Sequence, residues 1–171
     1  METLTIPRTE LFAALEKTWK ELSDLAQSTP ANEINKVPFT DSWTVAQLIT
    51  HVTKSNRAIG QGMEMPGKPA DRNPESGVPK LKKMFLDFEA KYQSPDFIVP
   101  EDILYEKATV IRVLDQSVDT IRQSADRQQL NEIINLPIFG EISKVELLHF
   151  VLYHTQRHIH QLKHILAAVR H

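Results

Sequence analysis

The chain has 171 residues and a formal net charge of −2, with 41% hydrophobic and 25% charged residues. This composition is typical of a globular protein and gives no electrostatic reason to expect nucleic acid or a membrane as a partner. Cysteine is absent, which excludes disulfides, a thiolate nucleophile and cysteine zinc sites. No apolar run is long enough to span a bilayer, and Met1 leads into polar residues without a signal-peptide pattern, so we expect a cytoplasmic protein. The length fits one domain over residues 1–171.

Two helices are predicted in the first third of the chain. The first covers residues 8–27, where apolar residues recur at a three-four spacing. These residues are Leu11, Leu15, Trp19, Leu22 and Ala26. After a proline-containing loop, the second helix begins at Thr44, which forms a capping box with Gln47. His51 lies at the edge of the apolar stripe of this second helix, where a lone histidine is ordinarily partly exposed.

A composition break follows the second helix. Residues 60–79 contain four of the chain's five glycines and four of its ten prolines, which predicts a long loop without regular secondary structure. The apolar spacing from Leu81 to Tyr92 then predicts an additional short helix. Residues 60–103 are therefore interpreted as an insertion that precedes the third principal helix, and segments of this kind are often functional.

The remaining elements complete a helical pattern. A clean apolar stripe predicts the third principal helix over residues 106–125. Residues 126–141 are predicted to be a loop, with at most an irregular extended piece at 133–138 and no convincing strand pair. Ser143 and Glu146 form a second capping box, which begins the last helix. Four principal helices without a sheet predict an all-α four-helix bundle.

The last helix contains five of the seven histidines, and they divide between its faces. At about 100° per residue, His154 and His158 fall within the apolar stripe. His149, His160 and His164 fall on the face that is predicted to meet water. Burying polar groups without partners is costly, so two imidazoles one turn apart on a buried face indicate a shared partner such as a metal ion.

A third ligand is available on the second helix, which should pack nearby. His51 is the only histidine outside the C-terminal region, and His51, His154 and His158 together would hold a first-row divalent metal with positions left for water or substrate. Gln161, one turn beyond His158, is predicted to hold a ligand imidazole or a bound water in place. The alternative interpretation is a group of histidines satisfied by hydrogen bonds.

Three other kinds of site are disfavoured. A di-iron bundle needs two Glu-x-x-His motifs, but Glu146-x-x-His149 is the one match and it is predicted to face away from the core. There is no G-x-S-x-G elbow of a serine hydrolase and no phosphate-binding glycine loop.

Three segments resemble the DinB-like superfamily, which is related to the YfiT-type metal-dependent hydrolases and the bacillithiol S-transferases. They are Ser42-Trp43-Thr44-Val45-Ala46-Gln47 followed by His51, then Phe139-Gly140-Glu141-Ile142-Ser143, and then His154-x-x-Arg157-His158-x-x-Gln161. The resemblance implies an up-down-down-up four-helix bundle. It also implies a divalent metal, often nickel or zinc, held by the three histidines, and a homodimer. Relatives include thiol transferases that use bacillithiol or mycothiol and a mycothiol-dependent isomerase.

Two functions follow as hypotheses. The first is a metal-dependent enzyme, a thiol S-transferase or a hydrolase, acting on a small-molecule substrate. The absence of an obvious general base favours transfer of a low-molecular-weight thiol, and the charged residues Glu64, Asp71 and Arg72 of the insertion are weak candidates for substrate contact. The second is a non-catalytic bundle that is stabilised by its metal and acts as a dimerisation or binding module.

Overall fold

Five helices make up most of residues 6–170, the part of the chain that the computed structural model describes. Residues 1–5 and 171, which the single-domain prediction also covers, lie outside the described residues. The helices are α1 (Arg8–Ser28), α2 (Val45–Met63), α3 (Val78–Leu86), α4 (Lys107–Arg127) and α5 (Lys144–Val169), and a 3-10 turn spans Asp96–Ile98. The four long helices confirm the predicted bundle. No helix of the described chain combines the length and hydropathy needed to cross a membrane.

Both predicted capping boxes are present, at the helices that carry the histidines. Thr44 accepts from the backbone N–H of Gln47, whose side chain accepts from the Thr44 N–H in return. Ser143 and Glu146 make the same reciprocal pair at the start of α5. Because each cap satisfies N–H groups that have no partner within the helix, it sets where the helix begins and thus which residues share a face.

Contacts near the helix ends give the relative directions of α1, α2 and α4. Arg8 at the start of α1 donates to the carbonyl of Ala125 near the end of α4, at 3.2 Å, so these two helices are antiparallel. Glu64, directly after α2, pairs with Arg127 at the end of α4, at 2.6 Å, so α2 and α4 are parallel.

The last helix runs alongside α1 in the same direction. Lys163 in the second half of α5 pairs with Glu21 in the second half of α1, at 2.7 Å. Since α2 and α4 run opposite to α1, the order is up-down-down-up for α1, α2, α4 and α5, as the family resemblance implied.

The prediction of a loop over residues 60–79 was wrong at both ends, because a helix still covers residues 60–63 and α3 already begins at Val78. Helix α2 continues to Met63 and includes two glycines of the supposed loop. A Cβ atom on Gly60 would lie 2.9 Å from Thr120 Cγ2, and one on Gly62 would lie 3.2 Å from Leu136 Cδ1. These glycines therefore allow neighbouring elements to approach α2 closely and do not end it. The short helix was also placed too late, since α3 ends at Leu86 and not near Tyr92.

The expectation that the chain has no strand pair was wrong as well. Strands β1 (Lys68–Pro69), β2 (Glu132–Leu136) and β3 (Gly140–Ser143) form a small antiparallel sheet in the order β1-β2-β3. Gly140 has a φ of 67°, which glycine adopts without steric cost and which allows the tight turn between β2 and β3. The strands are too short for a clear alternation of apolar and polar residues, so their sequence signal is weak.

The buried apolar residues form two clusters along the bundle. One contains Leu11, Met63 and Leu147 and is covered by the sheet and α3. The other contains Leu22 and Leu162, in the half of the bundle where α2 begins and α5 ends. On α5, the buried His154 and His158 lie between the residues of the first cluster and those of the second.

Candidate metal centre

Three histidines meet where α2 crosses α5. His51 comes from the second turn of α2, and His154 and His158 come from consecutive turns of α5. Their exposed fractions are 1%, 6% and 7%. His51 is thus fully buried, whereas a position at the edge of the apolar stripe predicted partial exposure.

The three Nε2 atoms form a nearly equilateral triangle. The separations are 3.0 Å between His51 and His158, 3.1 Å between His158 and His154, and 3.2 Å between His51 and His154. For metal–nitrogen bonds of about 2.0–2.1 Å, the nitrogens lie about 3.3–3.4 Å apart in a tetrahedral site and about 2.8–3.0 Å apart on one face of an octahedron. The observed triangle falls between these values, so the donor set fits a first-row divalent ion. Among the described residues, no other group of three or more histidine, aspartate or glutamate side chains is spaced to hold one.

Hydrogen bonds on the far side of two rings direct the nitrogen lone pairs inward. His51 Nδ1 lies 2.9 Å from the carbonyl oxygen of Ile98, which can only accept, so the Nδ1 atom carries the proton. His158 Nδ1 lies 2.9 Å from Gln161 Oε1 and donates to it in the same way. Both Nε2 atoms are then unprotonated and face each other at 3.0 Å, an arrangement that a cation between them would stabilise.

Burial keeps the three rings in the neutral form that binds metal. It lowers the pKa of His158 to about 3, with the neighbouring His51 acting in the same direction. Burial likewise holds the pKa of His154 well below its ordinary value, with His158 and then His51 adding to the effect, and it lowers the pKa of His51. A proton is therefore a poor substitute for a metal ion at this position near neutral pH.

Aromatic side chains fix the orientation of the rings. Phe150, one turn before His154 on α5, stacks on the His154 ring at a centroid distance of 4.9 Å. Phe85 of α3 meets the same ring edge-on at 5.9 Å, and Trp43 packs against His51 at 4.8 Å. Such contacts limit ring rotation, which favours a preformed site.

The triad opens onto a cavity of about 400 Å³. Its floor is formed by α2 and α5, and its walls come from the inserted segment and from the hairpin of β2 and β3. The insertion thus borders the site, because residues 84–98 supply wall residues and the Ile98 carbonyl that orients His51.

Arg157 fastens the inserted segment over the cavity. Its guanidinium donates to the backbone carbonyls of Phe85, Asp87 and Ala90 and lies 5.1 Å from the centroid of the Tyr92 ring. The residue precedes His158, so the helix that provides two ring nitrogens also holds the cavity wall. Arg157 stands in the sequence motif, but its backbone partners carry no side-chain signal and could not be identified from the sequence. The same is true of the Ile98 carbonyl.

The weak candidates for substrate contact lie elsewhere. Glu64 binds Ser124 and Arg127, and Arg72 forms a bidentate pair with the carboxylate of Glu146. Neither these two residues nor Asp71 lines the cavity.

The sequence predicted that His149, His160 and His164 meet water. His160 and His164 are exposed, but the prediction for His149 was wrong. His149 is only 2% exposed, and the segment before α3 covers this face of α5 through the contacts of Gly77 with Glu146 and of Glu75 with His149. Its Nε2 atom has no hydrogen-bond partner and lies 3.6 Å from Glu75 Oε1. Burial lowers the pKa of His149 to about 4. Glu146, also assigned to the water-facing side, is 2% exposed.

Comparison with known proteins identifies the family. The sequence model of the DinB superfamily matches residues 14–162. The chain belongs to the DinB superfamily. Among relatives, it is 20% identical over 156 residues to the uncharacterized protein YuaE of Bacillus subtilis (strain 168), covering 87% of this chain and 90% of YuaE.

Two solved structures share the fold of this DinB-superfamily chain. The four-helix bundle protein TT2238 aligns with a TM-score of 0.59 and 16% identity, covering 91% of this chain and 98% of TT2238. YfiT from Bacillus subtilis, described as a probable metal-dependent hydrolase with an unusual four-helix bundle topology, aligns with a TM-score of 0.58 and 13% identity. That alignment covers 98% of this chain and 91% of YfiT. At these identities the similarity establishes the bundle fold, to which the two helices that carry the histidine triad belong.

Proposed function

We propose that this protein is a divalent-metal-dependent enzyme whose metal ligands are His51, His154 and His158. The observation that carries the proposal is the triangle of three Nε2 atoms, 3.0–3.2 Å apart, at the inner end of a cavity. A site that serves only stability is usually closed by four protein ligands, whereas a catalytic site leaves a position for substrate. Gln161 and the Ile98 carbonyl are proposed to orient two of the ligands.

The reaction that the lining supports best is transfer of a low-molecular-weight thiol to a small-molecule electrophile. A bound divalent ion would lower the pKa of a coordinated thiol or water and so provide a nucleophile near neutral pH. No Asp, Glu or Lys side chain lines the cavity, so a general base for moving the protons of water is lacking. A thiol needs less help, since its ordinary pKa is already about 8.5.

Hydrolysis is the second candidate, because YfiT is described as a probable metal-dependent hydrolase. In that case the nucleophile would be water and the cavity would hold the bond to be cleaved. The two reactions differ in their need for an added thiol, and turnover measured with and without one separates them.

Metal analysis tests the proposal. Protein purified without a nickel column should contain close to one equivalent of a first-row metal, and His154→Ala should lose most of it. His164→Ala is the matched control, because this exposed residue lies on the same helix away from the triad. Equal metal content in the parent and in His154→Ala would reject the site.

A screen of thiols against electrophilic substrates then tests the chemistry. Turnover should disappear on chelation and return when metal is restored. Full metal content without turnover by any thiol or water would favour the non-catalytic module. A homodimer, the other prediction from the family, can be tested by sedimentation of the same protein.

A further inference from the structure

The cavity above the triad has a strongly apolar lining. Four separate parts of the chain supply its apolar side chains: helices α2 and α5, the inserted segment and the hairpin. They include Ile59, Met84, Phe85, Phe97, Leu136, Ile138, Phe139 and Phe150. The volume of about 400 Å³ lies in the lower part of the range of about 300–1,000 Å³ that is typical of sites for small ligands.

Charged groups are scarce in this lining. Apart from the three histidines, Arg157 is the only residue among the lining set that can carry a charge near neutral pH. Its guanidinium already binds three backbone carbonyls and packs on Tyr92. A carboxylate, phosphate or ammonium group held by these walls, away from the triad, would therefore lose its hydration without gaining a free counter-charge from a side chain.

A few polar side chains complete the lining. Ser55 lies one turn after His51 on α2 and is 4% exposed, and Gln93 and Ser94 lie on the inserted segment. Few polar groups in an apolar wall are typical of sites that orient a largely apolar molecule by one or two of its atoms.

We propose that this cavity binds the electrophilic substrate, and that this substrate is a neutral, largely apolar small molecule whose reactive group faces His51, His154 and His158. The assignment of a reactive group rests on the proposed metal-dependent function, whereas the binding preference rests on the lining alone. Low-molecular-weight thiols that carry carboxylates must keep those groups outside the apolar part of the cavity, with only the sulfur reaching the triad.

Binding can be measured without turnover by using N-phenyl-1-naphthylamine, a neutral apolar fluorophore. In chelator-treated protein, where no metal ion can coordinate a carboxylate, its fluorescence should rise on binding, and decanol should displace it at concentrations at least 10-fold lower than decanoate or decylamine, because the charged groups stay hydrated. Within a series of alcohols from hexanol to decanol, each added methylene should tighten binding about 3- to 4-fold until the cavity is filled. Equal competition by decanol and decanoate would overturn the proposal.

Two pairs of variants locate the binding. Ala58 lines the cavity on α2, so Ala58→Phe should fill part of it and weaken probe binding at least 10-fold. Ala13→Phe, at an exposed position of α1, should leave binding unchanged. A bulky ring at position 58 also tests folding, so a second variant changes an exposed residue instead. Ile138→Glu adds a charge at the 52% exposed end of the hairpin, and Val37→Glu, at a 63% exposed position, is its control. Unchanged binding in Ile138→Glu would also overturn the proposal.

The test separates this inference from the metal-dependent function. Chelator-treated protein should still bind the fluorophore with an affinity within about 3-fold of the untreated protein, since the walls contain no metal ligand beyond the triad. Apolar binding by a protein that takes up no metal would leave the binding preference standing and reject the enzyme, together with the assignment of a reactive group. Metal-dependent turnover that requires charged electrophiles would support the enzyme and reject the preference for a neutral, apolar substrate.

Discussion

Gln161 offers the sharpest test of how the histidine centre is built. Its Oε1 atom accepts a hydrogen bond of 2.9 Å from His158 Nδ1 and so keeps the His158 Nε2 lone pair on the side of the other two rings. In Gln161→Ala the ring loses this partner and can adopt the other tautomer, in which Nε2 carries the proton and cannot bind a metal.

The expected loss can be bounded from the structure. Removing a hydrogen bond behind a metal-binding histidine ordinarily weakens metal binding about 10- to 100-fold, or about 1.4–2.7 kcal/mol. Gln161 is only half-buried, so water can replace part of the amide's role. We therefore expect a loss near the lower end, about 10-fold.

Chelator competition measures this affinity, because the variant and the parent can be titrated against the same indicator. Gln161→Glu keeps an acceptor and should restore affinity to at least the parent value. Gln123→Ala, at an exposed position of α4, is the control for a lost surface amide. A Gln161→Ala affinity within 2-fold of the parent would refute the view that this residue selects the tautomer.

Two further predictions concern the inserted segment and the pH dependence of stability. Arg157→Ala removes charge-assisted hydrogen bonds to three carbonyls. Hydrogen exchange of the backbone amides in residues 84–98 should therefore accelerate about 10-fold, while exchange in α2 stays the same. Equal acceleration in both regions would contradict a local role of Arg157. For His149, burial lowers the folded-state pKa to about 4 from the usual 6.5. The unfolded chain therefore binds the proton first, and His149 alone should lower the unfolding free energy of metal-free protein by up to about 3 kcal/mol between pH 6.5 and 4, in addition to the contribution of the other buried histidines. His149→Phe should reduce this slope in urea titrations, and equal slopes would show that His149 is not buried as described.

The sequence was sufficient for features that depend on near neighbours along the chain. The two capping boxes at Thr44 and Ser143 lie where the residue types predicted them, because each involves residues only three positions apart. The i, i+4 spacing of His154 and His158 likewise determines that both rings leave α5 on one face. The convergence of His51 on that pair was predicted from patterns on two separate helices, and the structure brings the three rings together.

The errors about His149 and Glu146 share one physical cause. A helical wheel predicts burial on a single face, but the start of α5 is covered on a second face by residues about 70 positions earlier in the chain. Gly77 donates its N–H to Glu146, and Arg72 pairs with the same carboxylate. His149 is buried as a consequence, although its own helix presents it on the polar side.

Tertiary structure alone decided the surroundings of the three histidines. The hydrogen bond from His51 to the Ile98 carbonyl, the cavity wall held by Arg157 and the pairing of Lys68 with Ile133 in the sheet join residues far apart in sequence. Backbone carbonyls are the same in every residue, so no side-chain pattern marks which one will face a ring. The residues of α5 thus determine by themselves that two imidazoles lie on its apolar face, whereas the full burial of His51 depends on the elements that pack against α2. The space beside those rings, and the molecules that fit it, depend on how the inserted segment and the hairpin pack over them, because that packing sets which groups lose contact with water.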